Sequence, residues 1–110
     1  MATAHAASGE LIDVRPFGAA LPHVASETLV RADHLEIFRL VLLAGKSLRG
    51  HDHPRIITIQ CIEGSVELAA VGKTQAMRAG SMVYLPAGTP HELTAVEDSS
   101  LLITLLLRRE

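Results

Sequence analysis

The sequence predicts an all-β domain, a sandwich or a barrel built from short antiparallel strands. Short apolar or alternating segments follow one another from Glu36 onwards, and turn signals of Gly and Pro separate them at 44–45, 63–64 and 86–88. No stretch carries a long amphipathic helical period, which points away from an α or mixed fold. Hydrophobic residues form 48% of the chain but aromatic residues only 3%, so the core is expected to consist of Leu, Val, Ile and Ala.

The length of 110 residues fits one domain. Residues 1–9 are small or polar and lack a period, so they are predicted to be a mobile N-terminal segment ahead of a single domain at 10–110. Segment 10–14 is predicted to be a short strand, whereas 25–33 fits either a strand or a turn of helix. The remaining segments are predicted to be strands, at 36–43, 56–62, 65–71, 81–85, 91–96 and 100–107.

Charge and composition exclude several classes of protein. The formal net charge is −2 and no basic cluster is present, which argues against a nucleic-acid partner. The longest apolar runs, 40–44 and 101–107, are far shorter than the roughly 20 residues of a membrane helix. The first ten residues do not resemble a secretory signal, and the single Cys61 cannot form an intrachain disulfide. We therefore expect a cytoplasmic protein with no membrane partner.

Two of the predicted strands, 56–62 and 101–107, are apolar on both faces. One face of each would look into the domain, and the other needs a cover. A second subunit would supply one, which predicts a homodimer with Thr58 and Gln60 near the interface. The alternative is that the chain's own N-terminal segment covers the same surface.

The first glycine-bounded block contains two histidines separated by one residue. His51 and His53 project from the same face if they lie on a strand, so their imidazoles can reach one ion. The block resembles the first motif of the cupins, which reads Gly, five residues, His-x-His, three or four residues, Glu, six residues, Gly. Gly45 and Gly64 match this spacing, but the Glu position is occupied by Ile57.

The second block resembles the other cupin motif, which reads Gly, five residues, Pro-x-Gly, two residues, His, three residues, Asn. Gly80, Pro86, Gly88 and His91 match, while the Asn position is occupied by Ala95. The resemblance implies a jelly-roll barrel, or double-stranded β-helix, of antiparallel strands. It also implies that the motif histidines converge inside the barrel on a metal ion.

The predicted metal ligands are therefore His51, His53 and His91, a three-histidine variant of the family site. Three neutral imidazoles leave open coordination positions and suit Fe, Zn, Ni or Cu better than Mn or Mg. With an alkyl group at Ile57, the ion keeps its full charge, which favours an anionic or enolate-like ligand. The same departure leaves open whether a metal is bound at all.

Two classes of function remain open, and no catalytic residue is assigned. The protein is either a metal-dependent oxygenase or isomerase of a small molecule, or a non-catalytic module that binds or senses a small ligand, with or without metal. The inner face around Ile57, Ile59 and Ala95 offers no proton-transfer group, which favours binding slightly.

Several other side chains are candidates for a place in or near the site. One of the three arginines that flank the motifs could pair with a substrate carboxylate; they are Arg39, Arg49 and Arg55. Met82 and Tyr84 are expected to pack in the core or to line the pocket mouth. Cys61 is expected inside as an inert apolar residue. The histidines outside the motifs are expected at the surface, namely His5, His23 and His34.

Overall fold

The computed structural model describes residues 5–50 and 55–107, and this part of the chain is built almost entirely of β-strands. One 3₁₀ helix, Gly18–His23, precedes them. The strands are β1 Glu27–Arg31, β2 Leu35–Leu42, β3 Ser47–Gly50, β4 Ile56–Glu63, β5 Ser65–Ala70, β6 Lys73–Arg78, β7 Met82–Leu85, β8 His91–Ala95 and β9 Ser99–Leu106. The all-β prediction is confirmed.

The strands form two antiparallel sheets that enclose the core. The five-stranded sheet has the order β1-β2-β9-β4-β7, and the four-stranded sheet has the order β3-β8-β5-β6. Both contribute to one cluster of buried apolar side chains, with Ile59 and Leu101 from the first and Val66, Leu68 and Leu93 from the second. Most neighbours in the two sheets are distant in sequence, as β2 and β9 or β3 and β8, which is the arrangement of a jelly roll.

Alternation along the strands decides which side chains face the core. On β4 the residues Ile57, Ile59 and Cys61 are buried, and the residues between them are less so. On β8 the buried positions are His91, Leu93 and Ala95. Because side chains on a strand alternate between faces, these residues point into the barrel, as their sequence parity predicted.

The structure contradicts the strand predicted at 10–14 and decides between the two alternatives at 25–33. Segment 10–14 is not a strand; it carries polar contacts such as the ion pair of Arg15 with Asp13 at 2.9 Å, rather than a ladder. Segment 25–33 contains β1, which pairs with β2 through a register shift between Thr28 and Val30. That irregularity explains the weak alternation of this stretch. The mobility of residues 1–9 and the single-domain boundary at 10–110 stay predictions.

The outer face of the five-stranded sheet is partly covered by the N-terminal segment. Phe17 and Gly18 donate backbone hydrogen bonds to the Glu63 carboxylate at 2.9 and 3.1 Å. Leu21, in the 3₁₀ helix, is buried but is not part of the core cluster. Residues 15–21 of the chain itself therefore cover one end of this face, which was the alternative to a second subunit.

The other end of that face remains open to solvent. Met82 and Tyr84 on β7 are 62% and 60% exposed, so the expectation that they pack in the core is wrong. The alternative, that they line the pocket mouth, stays a prediction. Their register partners Gln60 and Thr58 belong to the same outer rows. The structure of one chain does not test the homodimer, which stays a prediction. Among the described residues no helix is long and apolar enough to cross a membrane.

Candidate functional site

A small cavity lies inside the barrel, between the two sheets. Its volume is about 150 Å³. Most of its lining is apolar, and the polar side chains come from the edge formed by β3 and β8; the described lining residues are Phe38, Leu48, Arg49, Gly50, Ile57, Ile59, His91, Leu93, Ile103 and Leu105. The described lining is therefore mostly apolar, and the imidazole of His91 lies at its polar end.

His91 is the first residue of β8, and its side chain is held in a defined orientation. The residue is only 9% exposed, and its Nδ1 lies 3.0 Å from the carbonyl oxygen of Thr89. A carbonyl oxygen only accepts hydrogen bonds, so Nδ1 has to carry the proton. In the neutral ring the lone pair is then on Nε2. This is the arrangement of a metal-binding histidine whose other ring nitrogen is fixed by a backbone carbonyl.

Gly50 lies directly beside the His91 ring. The two residues are ladder partners between β3 and β8. A Cβ atom built on Gly50 would be 2.7 Å from both Cε1 and Nε2 of the ring. The Nε2 end of the imidazole thus occupies the space that any other residue at position 50 would fill. The sequence-based prediction did not identify this role for Gly50.

The other two predicted ligands, His51 and His53, lie outside the described residues. The last described residue before them is Gly50, the partner of His91. Within 5–50 and 55–107, no group of three or more His, Cys, Asp or Glu side chains could hold a metal ion. A metal site at His91 would accordingly depend on His51 and His53.

The two motif departures both lie inside the barrel. Ile57 is 7% exposed and lines the cavity with His91, and Ala95 is 2% exposed on the same face of β8. The position of the family glutamate therefore presents an alkyl group to the interior. No described residue that lines the cavity carries a carboxylate.

Cys61 is buried further along β4, as its parity predicted. Its Sγ approaches the carbonyl oxygens of Glu63 and Gly64 at 3.5 and 3.8 Å. Burial raises the pKa of the Cys61 thiol, and the charge of Glu63 raises it further despite the backbone hydrogen bond. A neutral, enclosed thiol is a poor nucleophile and a poor ligand, which agrees with the expected apolar role.

The three flanking arginines occupy different environments, and a pairing of Arg49 or Arg55 with a substrate carboxylate stays a prediction. Arg39 points to the outer face of the five-stranded sheet and is 2% exposed. Arg49 borders the cavity, but its guanidinium pairs with Glu92 at 3.5 Å. Arg55 is half-buried at the start of the second described range. The non-motif histidines at 5, 23 and 34 are exposed, as expected.

Arg39 belongs to a second polar cluster that the sequence did not reveal. Its Nη2 donates to the Arg15 carbonyl at 2.8 Å and to Ser100 Oγ at 2.9 Å, and Ser100 Oγ donates to Glu63 Oε2 at 2.6 Å. The Phe17 ring stacks on the guanidinium, 4.1 Å from Cζ to the ring centroid. We call Arg39, Glu63 and Ser100 the outer cluster.

Hydrogen bonds and an ion pair link all three residues of the outer cluster, and these contacts shift the pKa values of Glu63 and Arg39. Partial burial by itself would raise the pKa of the Glu63 carboxyl, but hydrogen bonds from Ser100, Phe17 and Gly18 and the charge of Arg39 outweigh it, and the pKa is lowered. Burial lowers the pKa of Arg39, and Glu63 opposes this shift. The cluster therefore holds an ion pair whose hydrogen bonds fasten the N-terminal segment to the sheet.

Comparison with protein families identifies the class of the chain. The family model described as a cupin domain matches residues 38–107. This is more than half of the chain, and the chain therefore belongs to the cupin family, as the two motifs indicated. A comparison with curated proteins found no match.

Solved structures share the fold at low sequence identity. A conserved protein of unknown function from Streptococcus pyogenes has a TM-score of 0.74 and 23% identity over 100% of this chain and 97% of its own. The cupin domain of an XRE-family transcriptional regulator from Enterobacter cloacae has a TM-score of 0.70 and 16% identity, covering 77% and 97%. A mutant of salicylate 1,2-dioxygenase from Pseudoaminobacter salicylatoxidans has a TM-score of 0.67 and 22% identity, covering 74% and 25%.

Proposed function

We propose that this chain binds a small molecule in the barrel cavity, beside a divalent transition metal held by His51, His53 and His91. The observation that supports this most strongly is the state of His91. Its Nδ1 proton is donated to the Thr89 carbonyl, which leaves the Nε2 lone pair for a metal. The histidine also belongs to the polar end of an otherwise apolar cavity, as far as its lining is described.

The ligand that this cavity favours is small and mostly apolar. A cavity of about 150 Å³ lined by Leu, Ile and Phe side chains accommodates a molecule of roughly the size of benzene. A ligand with one oxygen donor at the histidine end would bury its apolar part against residues such as Ile59 and Ile103. This proposal limits the ligand class to small, mostly hydrophobic molecules with a single polar group.

The metal, when bound, would supply Lewis-acid chemistry and a fixed point for the oxygen of the ligand. The chain's own residues do the rest. His91 is oriented by the Thr89 carbonyl, and Ile57 and Leu105 present alkyl groups to the pocket. Fe, Zn, Ni and Cu are the ions that three imidazoles suit best, and their uncompensated charge favours an anionic oxygen.

A non-catalytic module is the second candidate function. If His91 is bound to the metal, the described cavity lining contains no other imidazole, carboxylate or thiol that could transfer a proton. A binding or sensing domain needs no such group, whereas general acid–base catalysis does. The relatives of similar fold include both a dioxygenase and a cupin domain of a transcriptional regulator. The alternative to a non-catalytic module is an oxygenase or isomerase whose chemistry takes place at the metal and needs no proton-transferring side chain.

Metal binding by matched histidine variants tests the shared premise. Protein without an affinity tag is purified, stripped with chelator and titrated with Zn²⁺ or Ni²⁺, and metal content is measured by elemental analysis. We expect about one ion per wild-type chain and at least a tenfold loss of affinity in His91→Ala. His34→Ala, which removes an exposed histidine outside the motifs, is expected to bind like wild type. Equal binding by His91→Ala would contradict the proposal.

Oxygen uptake separates the two candidate functions. Metal-loaded protein is mixed with small phenols, hydroxybenzoates and short keto acids while dissolved oxygen is monitored, and ligand binding is followed by calorimetry. Uptake that is lost in His91→Ala would indicate an oxygenase. Saturable binding without uptake or product would indicate the non-catalytic module.

A further inference from the structure

We propose that Gly50 is a positioning residue: the absence of a side chain at this position allows the His91 imidazole to lie where it can act as a ligand. The inference about the ring stands on geometry in the metal-free protein. Its consequence for metal affinity rests on the proposed function. The two parts can fail separately, and the experiments that follow distinguish them.

The steric relation between Gly50 and His91 is specific. An added Cβ would be 2.7 Å from Cε1, 2.7 Å from Nε2 and 3.5 Å from Cδ2 of the same ring. Contacts below 3.0 Å are not sustained by real Cβ atoms, so the ring would have to move. All of the nearest atoms belong to the imidazole, and none belongs to the backbone. The space that a Cβ at position 50 would fill is therefore occupied by the imidazole of His91.

Backbone conformation does not explain this glycine. The chain has eight glycines, all of which lie in the described ranges, and the seven others have positive φ angles. They serve turns, where glycine is favoured because it has no Cβ. Gly50 lies on β3 in the regular ladder to β8 and is not among them. Its φ lies outside the positive range that favours glycine, so the reason for a glycine here is the space that the ring occupies.

The ring is restrained from two directions. On one side Nδ1 donates to the Thr89 carbonyl at 3.0 Å, which sets the tautomer. On the other side the Nε2 edge lies against the Gly50 backbone. A displacement large enough to relieve a clash with a Cβ would move Nδ1 away from that carbonyl. Because the hydrogen bond fixes which nitrogen carries the proton, loss of position would also mean loss of the defined tautomer.

Gly50 and His91 also mark the boundary between the inside and the outside of the barrel. Together with Arg49 they line both the interior cavity and a surface groove of about 230 Å³, whose other lining residues are Ala69, Pro90 and Glu92. Because Gly50 has no side chain, the His91 imidazole can lie between the interior cavity and the surface groove. A side chain here would compete with the ring for the same opening.

A double-mutant cycle in the metal-free protein tests the positioning role. The four proteins are wild type, Gly50→Ala, His91→Ala and the double variant, and urea unfolding is followed by circular dichroism. We expect Gly50→Ala to lower the urea midpoint in the wild-type background and to have almost no effect when His91 is already Ala. A Gly50→Ala protein that fails to fold while the double variant folds gives the same conclusion.

Equal loss in both backgrounds would overturn the inference, because the cost would then not involve the ring. The inference is also overturned if Gly50→Ala is harmless in both. Long-range ¹H–¹⁵N spectra of the imidazoles supply a second readout. Wild type is expected to show His91 protonated at Nδ1, and Gly50→Ala is expected to shift or mix the tautomers. An unchanged His91 signal in Gly50→Ala would contradict the role.

Metal titration then tests the consequence. If the proposed site exists, Gly50→Ala should weaken Zn²⁺ binding about 10–100-fold, the range typical of partners that orient a metal-binding histidine. If wild type binds no Zn²⁺, the proposed function fails while the tautomer and stability results still decide the positioning role. If wild type binds and Gly50→Ala binds equally well, the positioning role is overturned.

Discussion

The outer cluster lies outside the five-stranded sheet and the buried His91 lies inside the barrel on the four-stranded sheet, and the two differ in how completely their polar groups are paired. In the outer cluster Arg39, Ser100 and Glu63 are joined by short hydrogen bonds and an ion pair. Arg39 and Glu63 also hydrogen-bond to the backbone of residues 15–18. Inside the barrel His91 has one hydrogen bond to Thr89 and borders an apolar cavity.

The contrast separates a polar cluster whose partners all come from its own chain from a histidine that is a candidate ligand. A buried charge is tolerated when it is paired, and the outer cluster meets this condition with partners from its own chain. The His91 ring is oriented by its neighbours but has its second nitrogen directed away from that anchoring bond. Burial alone does not identify a site, because Arg39 is more deeply buried than His91. What makes His91 a candidate site is the cavity beside its side chain.

The largest effect is expected from Arg39→Ala. Removing Arg39 leaves the Glu63 carboxylate without its opposite charge and removes both the hydrogen bond to the Arg15 carbonyl and the stacking partner of the Phe17 ring. The free energy of unfolding should therefore fall by about 3–5 kcal/mol. Urea unfolding measures this loss. The control is Arg31→Ala, which breaks the exposed pair with Glu36 and should cost less than about 1 kcal/mol. Zn²⁺ affinity should be unchanged in whatever fraction of Arg39→Ala remains folded.

A smaller and metal-dependent effect is expected from Ile57→Glu, which restores the family residue inside the barrel. A buried carboxylate without a partner should lower the stability of the metal-free protein by about 3 kcal/mol. Zn²⁺ at about 100 times its dissociation constant should return about 2.7 kcal/mol. The same Zn²⁺ concentration should stabilise Ile59→Glu less, because position 59 is not the ligand position of the motif and its carboxylate adds nothing to the three histidines. Equal stabilisation of both variants by Zn²⁺ would contradict a ligand position at residue 57.

The smallest effect concerns Glu63→Gln and its dependence on pH. The pKa of Glu63 is lowered in the folded protein, so its contribution is present above the unfolded pKa of about 4.3 and is lost as the pH falls through the lower folded value. Glu63→Gln should cost about 1–2 kcal/mol at pH 7, and the difference from wild type should shrink below about pH 4. Urea unfolding over a pH series measures it, with the exposed Glu67→Gln as control. A difference that is constant with pH would contradict the role.

Much of the fold could be predicted from the sequence because its signals are local. Alternation on β4 and β8 placed Ile57 and Ala95 inside, and the spacing of the two glycine-bounded motifs was enough to indicate the family. The position of Met82 and Tyr84 could not be predicted in this way. Parity puts them on one face of β7 but does not say whether that face is covered.

The outer cluster and the close approach of Gly50 to His91 were not predictable for the same physical reason. Both depend on pairs far apart in sequence, such as Arg39 with Ser100 and Gly50 with His91, that meet only through the jelly-roll ladder. A glycine in a strand signals a close approach of some other group. The sequence does not say which group, and here it is the imidazole of a motif histidine.

X-ray absorption at the zinc edge of the loaded protein tests the proposed three-histidine site most directly. We expect a first shell that contains three imidazole nitrogens at about 2.0–2.1 Å, with the ring-carbon scattering of histidine and at least one further light atom. His91→Ala should lose one imidazole from that shell. A shell of six oxygens, a sulfur near about 2.3 Å, or a spectrum unchanged by His91→Ala would contradict the site.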